Sequence, residues 1–212
     1  MSPRVLSPVL LTLVLVASGC MNVSKLDLSS VGRRAMWQRP DDVVRALGLE
    51  PGDVVADLGA GDGYFEPYLA EAVGAGGRVY AVEVDPEAVA DLDASIEAGN
   101  LENVEVVVGA PGDPMLPDHA VDVVLLVNSY HHIDERPAYF RRLQADLAPG
   151  GRVAIIEPNE DLGGVLGLFL DEGHTSRAGD VHAEMAQAGY RSAFSPDVLT
   201  VQIFEVFEVP SD

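Results

Sequence analysis

Cysteine is almost missing from this chain. Among 212 residues there is one, Cys20. The chain beyond it therefore has no disulfide, no thiol nucleophile and no cysteine-held metal. Basic residues are scarce as well: 13 Lys and Arg stand against 34 Asp and Glu, a formal charge of −21. A nucleic-acid substrate is excluded on that balance, because a phosphate backbone needs a basic face. So is polybasic attachment to anionic lipid. The excess acid reads as a solvated surface that maintains solubility, with selection of a cationic substrate as the sharper alternative. There is no internal repeat and no low-complexity segment. His131, His132, His174 and His182 do not fall at a ligand spacing such as H-E-x-x-H, so no metal site is expected, even if they converge with Glu157. The one long apolar run at the start, Val5 to Ala17, is shorter than the roughly 20 residues that a membrane span requires.

That run is nevertheless informative. It follows Arg4 and ends in Ser18-Gly19-Cys20, the layout of a secretory signal whose small residues precede the cleavage point. It resembles a bacterial lipobox, which implies that Cys20 is lipidated and becomes the first mature residue. The expected organisation is a lipoprotein signal peptide over residues 1–19, a polar tether over 20–32, and one domain over 33–212. The implied location is the extracytoplasmic, periplasmic side of a membrane, reached through the lipid anchor. An uncleaved signal anchor is the alternative.

Within the domain, apolar content of 48% and the remaining length suit one full-sized core. A short helix is expected after Pro40, where Asp41 and Asp42 fill the first turn and Val43, Val44 and Leu47 share a face. Strands and helices then alternate: strand Asp53–Leu58, helix Tyr64–Val73, strand Arg78–Val84, helix Pro86–Ala98, strand Val104–Val108, a Pro- and Gly-rich loop, the unbroken apolar strand Val121–Val127, helix Glu135–Leu147, a Pro149-Gly150-Gly151 turn and strand Arg152–Glu157. A helix, Asp180–Ala188, and two β-rich stretches, Tyr190–Phe194 and Leu199–Val209, complete the pattern. The fold class is α/β, a Rossmann-like doubly wound sheet of seven strands, five parallel plus a terminal antiparallel pair.

The chemistry gathers at Asp57-Leu58-Gly59-Ala60-Gly61-Asp62-Gly63. Three glycines on alternate positions after a buried strand let a ligand approach the backbone closely. The spacing is G-x-G-x-G, not the dinucleotide fingerprint G-x-G-x-x-G. Glu83 ends the next strand a little over twenty residues on, where a carboxylate accepts from both hydroxyls of a ribose.

This combination resembles motif I and the acidic strand end of the class I S-adenosylmethionine-dependent methyltransferases. Asn128-Ser129-Tyr130-His131-His132, the Pro149-Gly150-Gly151 turn and Ile155-Ile156-Glu157 resemble their later motifs, and Trp37-Gln38-Arg39-Pro40-Asp41 resembles the approach seen in a bacterial small-molecule-type group, some of whose members carry lipoprotein signals. The resemblance spans about Arg33 to Val209. It implies S-adenosylmethionine as cofactor and a small-molecule acceptor. Cofactor contacts fall on Asp57, Gly59, Gly61, Gly63, Glu83 and Asn128. Where the family commonly has Gly-Asp for the adenine amino group, this chain has Gly109-Ala110, and Asp113 substitutes if the loop folds back. Asn128 faces the methionine end or the acceptor, and His131 or His132 is the candidate base, since imidazole titrates near neutrality; a helix cap with an exposed neighbour is the plainer reading of the pair. Tyr64, Trp37 and Tyr130 either wall the pocket or simply pack. Arsenite methylation by the cysteine-dependent route is excluded. The competing class is a non-catalytic ligand-binding lipoprotein that retains the fold.

Overall fold

The computed structural model describes residues 34, 35, 37–162 and 175–210. Cys20, the signal, the tether and His174 lie outside these. Ahead of Trp37, only Arg34 and Ala35 are described, and both are helical.

From Trp37 on, the elements are α1 (Pro40–Leu47), β1 (Val54–Leu58), α2 (Glu66–Val73), β2 (Arg78–Glu83), α3 (Pro86–Gly99), β3 (Val104–Val108), β4 (Val121–Val127), α4 (Arg136–Leu143), β5 (Leu147–Pro158), α5 (Ala178–Gln187), β6 (Arg191–Phe194) and β7 (Gln202–Glu208). The strands form one sheet in the order β3-β2-β1-β4-β5-β7-β6. The first five are parallel, and β7 runs antiparallel to both β5 and β6. Strand order reverses between β1 and β4, so their carboxyl ends open the crevice in which such sheets bind ligands.

β4 shows why this sheet is doubly wound. Val123, Leu125 and Val127 pack with Val43, Leu47, Leu69 and Val73 of α1 and α2, while Val124 and Leu126 pack with Phe140, Leu143, Val181 and Met185 of α4 and α5. Alternate side chains go to opposite faces, and both faces are covered, so the strand is apolar throughout. Leu125 and Leu126 are fully buried, each contributing roughly 1.5–3 kcal/mol of transfer free energy.

Local chemistry sets the element ends. Asp85 caps α3 by accepting from the Glu87 backbone N–H at 2.8 Å, with Pro86 at the first helical position, and Asn100 closes it in a left-handed conformation. The two largest boundary differences from the sequence expectation lie at α4 and β5. α4 stops at Leu143 rather than Leu147, because Ala120 and Val121 donate to the Asp146 carbonyl and draw the chain into the sheet. The Pro149-Gly150-Gly151 segment is a bulge inside β5 rather than a turn before it: Val121 pairs with Leu147 and Val123 with Arg152. A Cβ on Gly151 would lie 2.8 Å from the Val121 carbonyl oxygen, so the bulge has no room for a side chain.

Among the described residues no helix is long and apolar enough to cross a membrane.

Candidate functional site

The turn after β1 carries positive φ at Gly59 (81°), Gly61 (59°) and Gly63 (78°), which accounts for glycine at every second position. Helix α2 consequently begins at Glu66, two residues later than the sequence pattern suggested. Gly59 and Ala60 donate to the Val82 carbonyl at 2.9 and 3.1 Å, tying the turn to β2. Glu83 completes the join: its Oε2 accepts from the Gly61 N–H at 3.1 Å and its Oε1 from the Val84 and Asp85 N–H groups at 2.7 and 3.2 Å.

A cavity of about 540 Å³ opens at the carboxyl ends of β1, β2 and β4. Gly59, Glu83, Asn128 and His132 all line it, beside Ala110, Pro111, Ile133 and Tyr139. Asp57 is buried beneath the turn, and neither Asp57, Gly61, Gly63 nor His131 is part of the lining.

Asp113 is placed differently from the sequence expectation. The loop does fold back, with Ala110 and Asp113 exchanging backbone hydrogen bonds at 2.7 and 3.0 Å. The side chain, however, accepts from the Met115 N–H at 2.8 Å and pairs with Arg142 of α4. These two contacts hold its carboxyl below the usual carboxylate range, and it does not line the cavity. Of the aromatic candidates, Tyr64 and Tyr130 are core residues, Tyr130 stacking on Phe140, and Trp37 is exposed; none lines the cavity, whereas Tyr139 does.

The two histidines have separate stations. His132 lines the cavity. His131 lies behind it, ring centroids 4.1 Å apart, with Nδ1 2.7 Å from Oε2 of the fully buried Glu157. Burial pushes the Glu157 carboxyl up to about 7, against the opposing pull of backbone N–H groups from Tyr130 and His131. His182 is elsewhere: it bonds Glu205 of β7 at 2.8 Å and packs edge-on against Phe207. Among the described residues no group of three or more His, Cys, Asp or Glu could hold a metal.

Three features left no recognisable trace in the local sequence. Ser129 donates to the Leu58 carbonyl at 2.6 Å, joining the ends of β4 and β1. Gln202 of β7 donates to Asn128 Oδ1 at 2.8 Å. Glu66 is fully buried at the start of α2, its carboxyl pushed up to about 9 by burial and by the Asp57 and Asp62 carboxylates.

Residues 55–151 match the family described as methyltransferase domain. A solved S-adenosylmethionine-dependent methyltransferase from Aquifex aeolicus superposes with a TM-score of 0.76 at 27% identity, covering 89% of this chain and 97% of that one. The chain carries a class I methyltransferase domain. A protein-L-isoaspartate O-methyltransferase of Aeropyrum pernix is 38% identical over 62% of this chain and 50% of its own length. A 2-phytyl-1,4-naphthoquinone methyltransferase of Synechococcus elongatus is 30% identical over 68% of this chain and 61% of its own. The chain spans between about a quarter and about half the length of the curated relatives it first matches.

S-adenosylmethionine is the cofactor of such a methyltransferase domain, and the residues present fit it. Gly59, the one glycine of the turn at the cavity, and Glu83 line it side by side. Asn128 and Ser129 line the side toward β4.

Proposed function

We propose that this protein is a lipid-anchored methyltransferase that transfers the methyl group of S-adenosylmethionine to a small-molecule acceptor on the extracytoplasmic side of a bacterial membrane. The observation that carries the reading is the meeting, in one cavity, of Gly59 and Glu83 on one side with Asn128 and His132 on the other. The cofactor supplies a methyl group already activated on a sulfonium, so positioning is the main requirement and a base is needed only for an acceptor that must lose a proton. Gly59 and Glu83 hold the nucleoside end; His132, lining the cavity, takes the proton where one has to leave. A small acceptor agrees with the cavity's size and with Pro111, Pro114 and Ile133 in its wall, and the Synechococcus relative acts on a naphthoquinone.

Calorimetry with S-adenosylmethionine and its demethylated product, S-adenosylhomocysteine, tests the reading. Binding is expected, followed by label transfer in a metabolite screen with labelled methyl donor. No heat at millimolar ligand would sink it. Binding without transfer to any metabolite would favour the ligand-binding lipoprotein instead. The anchor has its own test: Cys20→Ser releases a lipidated protein from the membrane fraction, and a variant that stays there is a signal anchor.

A further inference from the structure

We infer that Gln202 is a positioning residue: it fixes which way round the Asn128 amide faces, so that Asn128 offers N–H donors, and not a carbonyl, to the amino-acid carboxylate of the bound donor. This rests on the proposed donor site and assigns one end of it.

Asn128 stands at the carboxyl end of β4 with φ 56°, a left-handed conformation that asparagine tolerates better than most residues. Its backbone N–H donates to the Ile156 carbonyl at 2.9 Å, fixing the main chain. The side chain has two faces. One meets Gln202 of β7, whose Nε2 lies 2.8 Å from Asn128 Oδ1, and the residue also lines the cavity. With Oδ1 turned toward Gln202 of β7, the group that Asn128 offers a ligand is Nδ2 with its N–H donors.

The opposite arrangement, with both amides turned over, keeps one hydrogen bond between them and reverses what the cavity sees. Gln202 decides against it. Its residue is 5% exposed, and its second polar atom, Oε1, has no hydrogen-bond partner among the described residues. Turning Gln202 over would place an amide nitrogen with two N–H groups in that same buried position. A lone acceptor is the less costly orphan, so the Nε2-donating arrangement prevails. Glu83 at the far side of the cavity holds the ribose, and the methionine end then falls toward Ser129 and Asn128, where N–H donors suit a carboxylate.

The test exchanges the donor at position 202. In Gln202→Glu the ionised carboxylate can only accept, which turns the Asn128 amide over and points its carbonyl at the ligand carboxylate. When protonated, the same side chain donates to Oδ1 and restores the original arrangement. Calorimetry on the full-length protein should show that Gln202→Glu binds S-adenosylhomocysteine about as tightly as the wild type at acid pH and on the order of tenfold more weakly as pH rises. Gln202→Met, of similar length and without polarity, should lose less and show no such step. Binding of 5′-methylthioadenosine, which lacks the amino-acid end, should be unaffected in all three proteins. Glu157 of β5 and His131 and His132 of the turn after β4 are common to all three, so the step is read as a difference from the wild type. The inference is overturned if Gln202→Glu follows the wild-type pH profile, if Gln202→Met loses as much, or if methylthioadenosine is weakened equally. Loss of all binding by the wild type would instead overturn the donor site itself. Thermal melts check that each variant is folded.

Discussion

Ser129 closes over Gly59. A Cβ built on Gly59 would lie 2.6 Å from the Ser129 Cβ, while Ser129 Oγ donates to the Leu58 carbonyl one residue earlier. The ends of β1 and β4, on either side of the point where strand order reverses, are thus locked at a distance that only glycine permits. Gly59→Ala should suffer twice, from that contact and from a φ of 81°, at about 1–3 kcal/mol each. Thermal or urea melts should show the loss, together with weaker S-adenosylhomocysteine binding. Adding Ser129→Gly should recover the steric part less the lost hydrogen bond to Leu58, and the backbone strain remains. A single variant that melts like the wild type would mean the two strand ends are free to part.

Glu83 has two duties, and they are separable. It accepts from Gly61, Val84 and Asp85, holding the glycine turn against β2, and it lines the cavity. Glu83→Ala removes both and should weaken product binding at least several-fold while lowering the melting temperature. Glu83→Gln retains one carbonyl oxygen for the backbone donors but brings an N–H pair against the others, so its effect should fall between the two. Calorimetry beside thermal melts reads each duty. Unchanged affinity in Glu83→Ala would remove this side chain from the ribose.

What was legible from sequence follows from what each feature depends on. Val121–Val127 was readable because burial on both faces demands an unbroken apolar run. Gly59, Gly61 and Gly63 stood out because three positive φ angles in five residues leave little choice of side chain. For Asp113 the fold-back of the loop was only a condition, and its partner Arg142 lies on another element; an ion pair across 29 positions leaves no spacing to recognise. Gln202 and Asn128 are 74 positions apart, and Tyr139 reaches the cavity from a helix whose periodicity reports only its core face. The start of β5 was misplaced because Pro149-Gly150-Gly151 has the composition of a turn whether it ends a helix or bulges a strand. Local chemistry shows in a sequence; contacts made by the closing of the sheet do not.

Glu66 predicts an unusual response to pH. It is fully buried and faces the Asp57 and Asp62 carboxylates, with its own carboxyl pushed up to about 9 by burial first and those charges second. An unfolded glutamate titrates near its ordinary value of 4.5. Between those limits the folded state holds a proton that the unfolded state has released, so this group's contribution declines as pH rises through the window. Glu66→Gln has no such proton and keeps a neutral, similarly shaped side chain. It should melt progressively higher than the wild type as pH is raised from about 5 to about 9. A difference that stays constant with pH would show that Glu66 is ionised in the folded protein.

His132 and Glu157 give the last prediction, because only one of them meets the cavity. His132→Ala should reduce turnover of the acceptor found in the labelled-methyl screen by roughly 10²-fold or more where that acceptor must lose a proton, with S-adenosylhomocysteine affinity little changed. Glu157 works through His131, to which it is 2.7 Å away, and His131 in turn packs on His132. Its carboxyl, raised to about 7 by burial, becomes a full acceptor for the His131 Nδ1–H only as pH climbs through that value. Turnover should therefore rise with pH across neutrality, while the stability that the protonated form confers declines between about 4.5 and about 7. Glu157→Gln stays neutral throughout, so its pH–rate profile should lose that rise. A variant that retains the wild-type profile would place the ionisation elsewhere and leave His132 acting without the support of the buried pair.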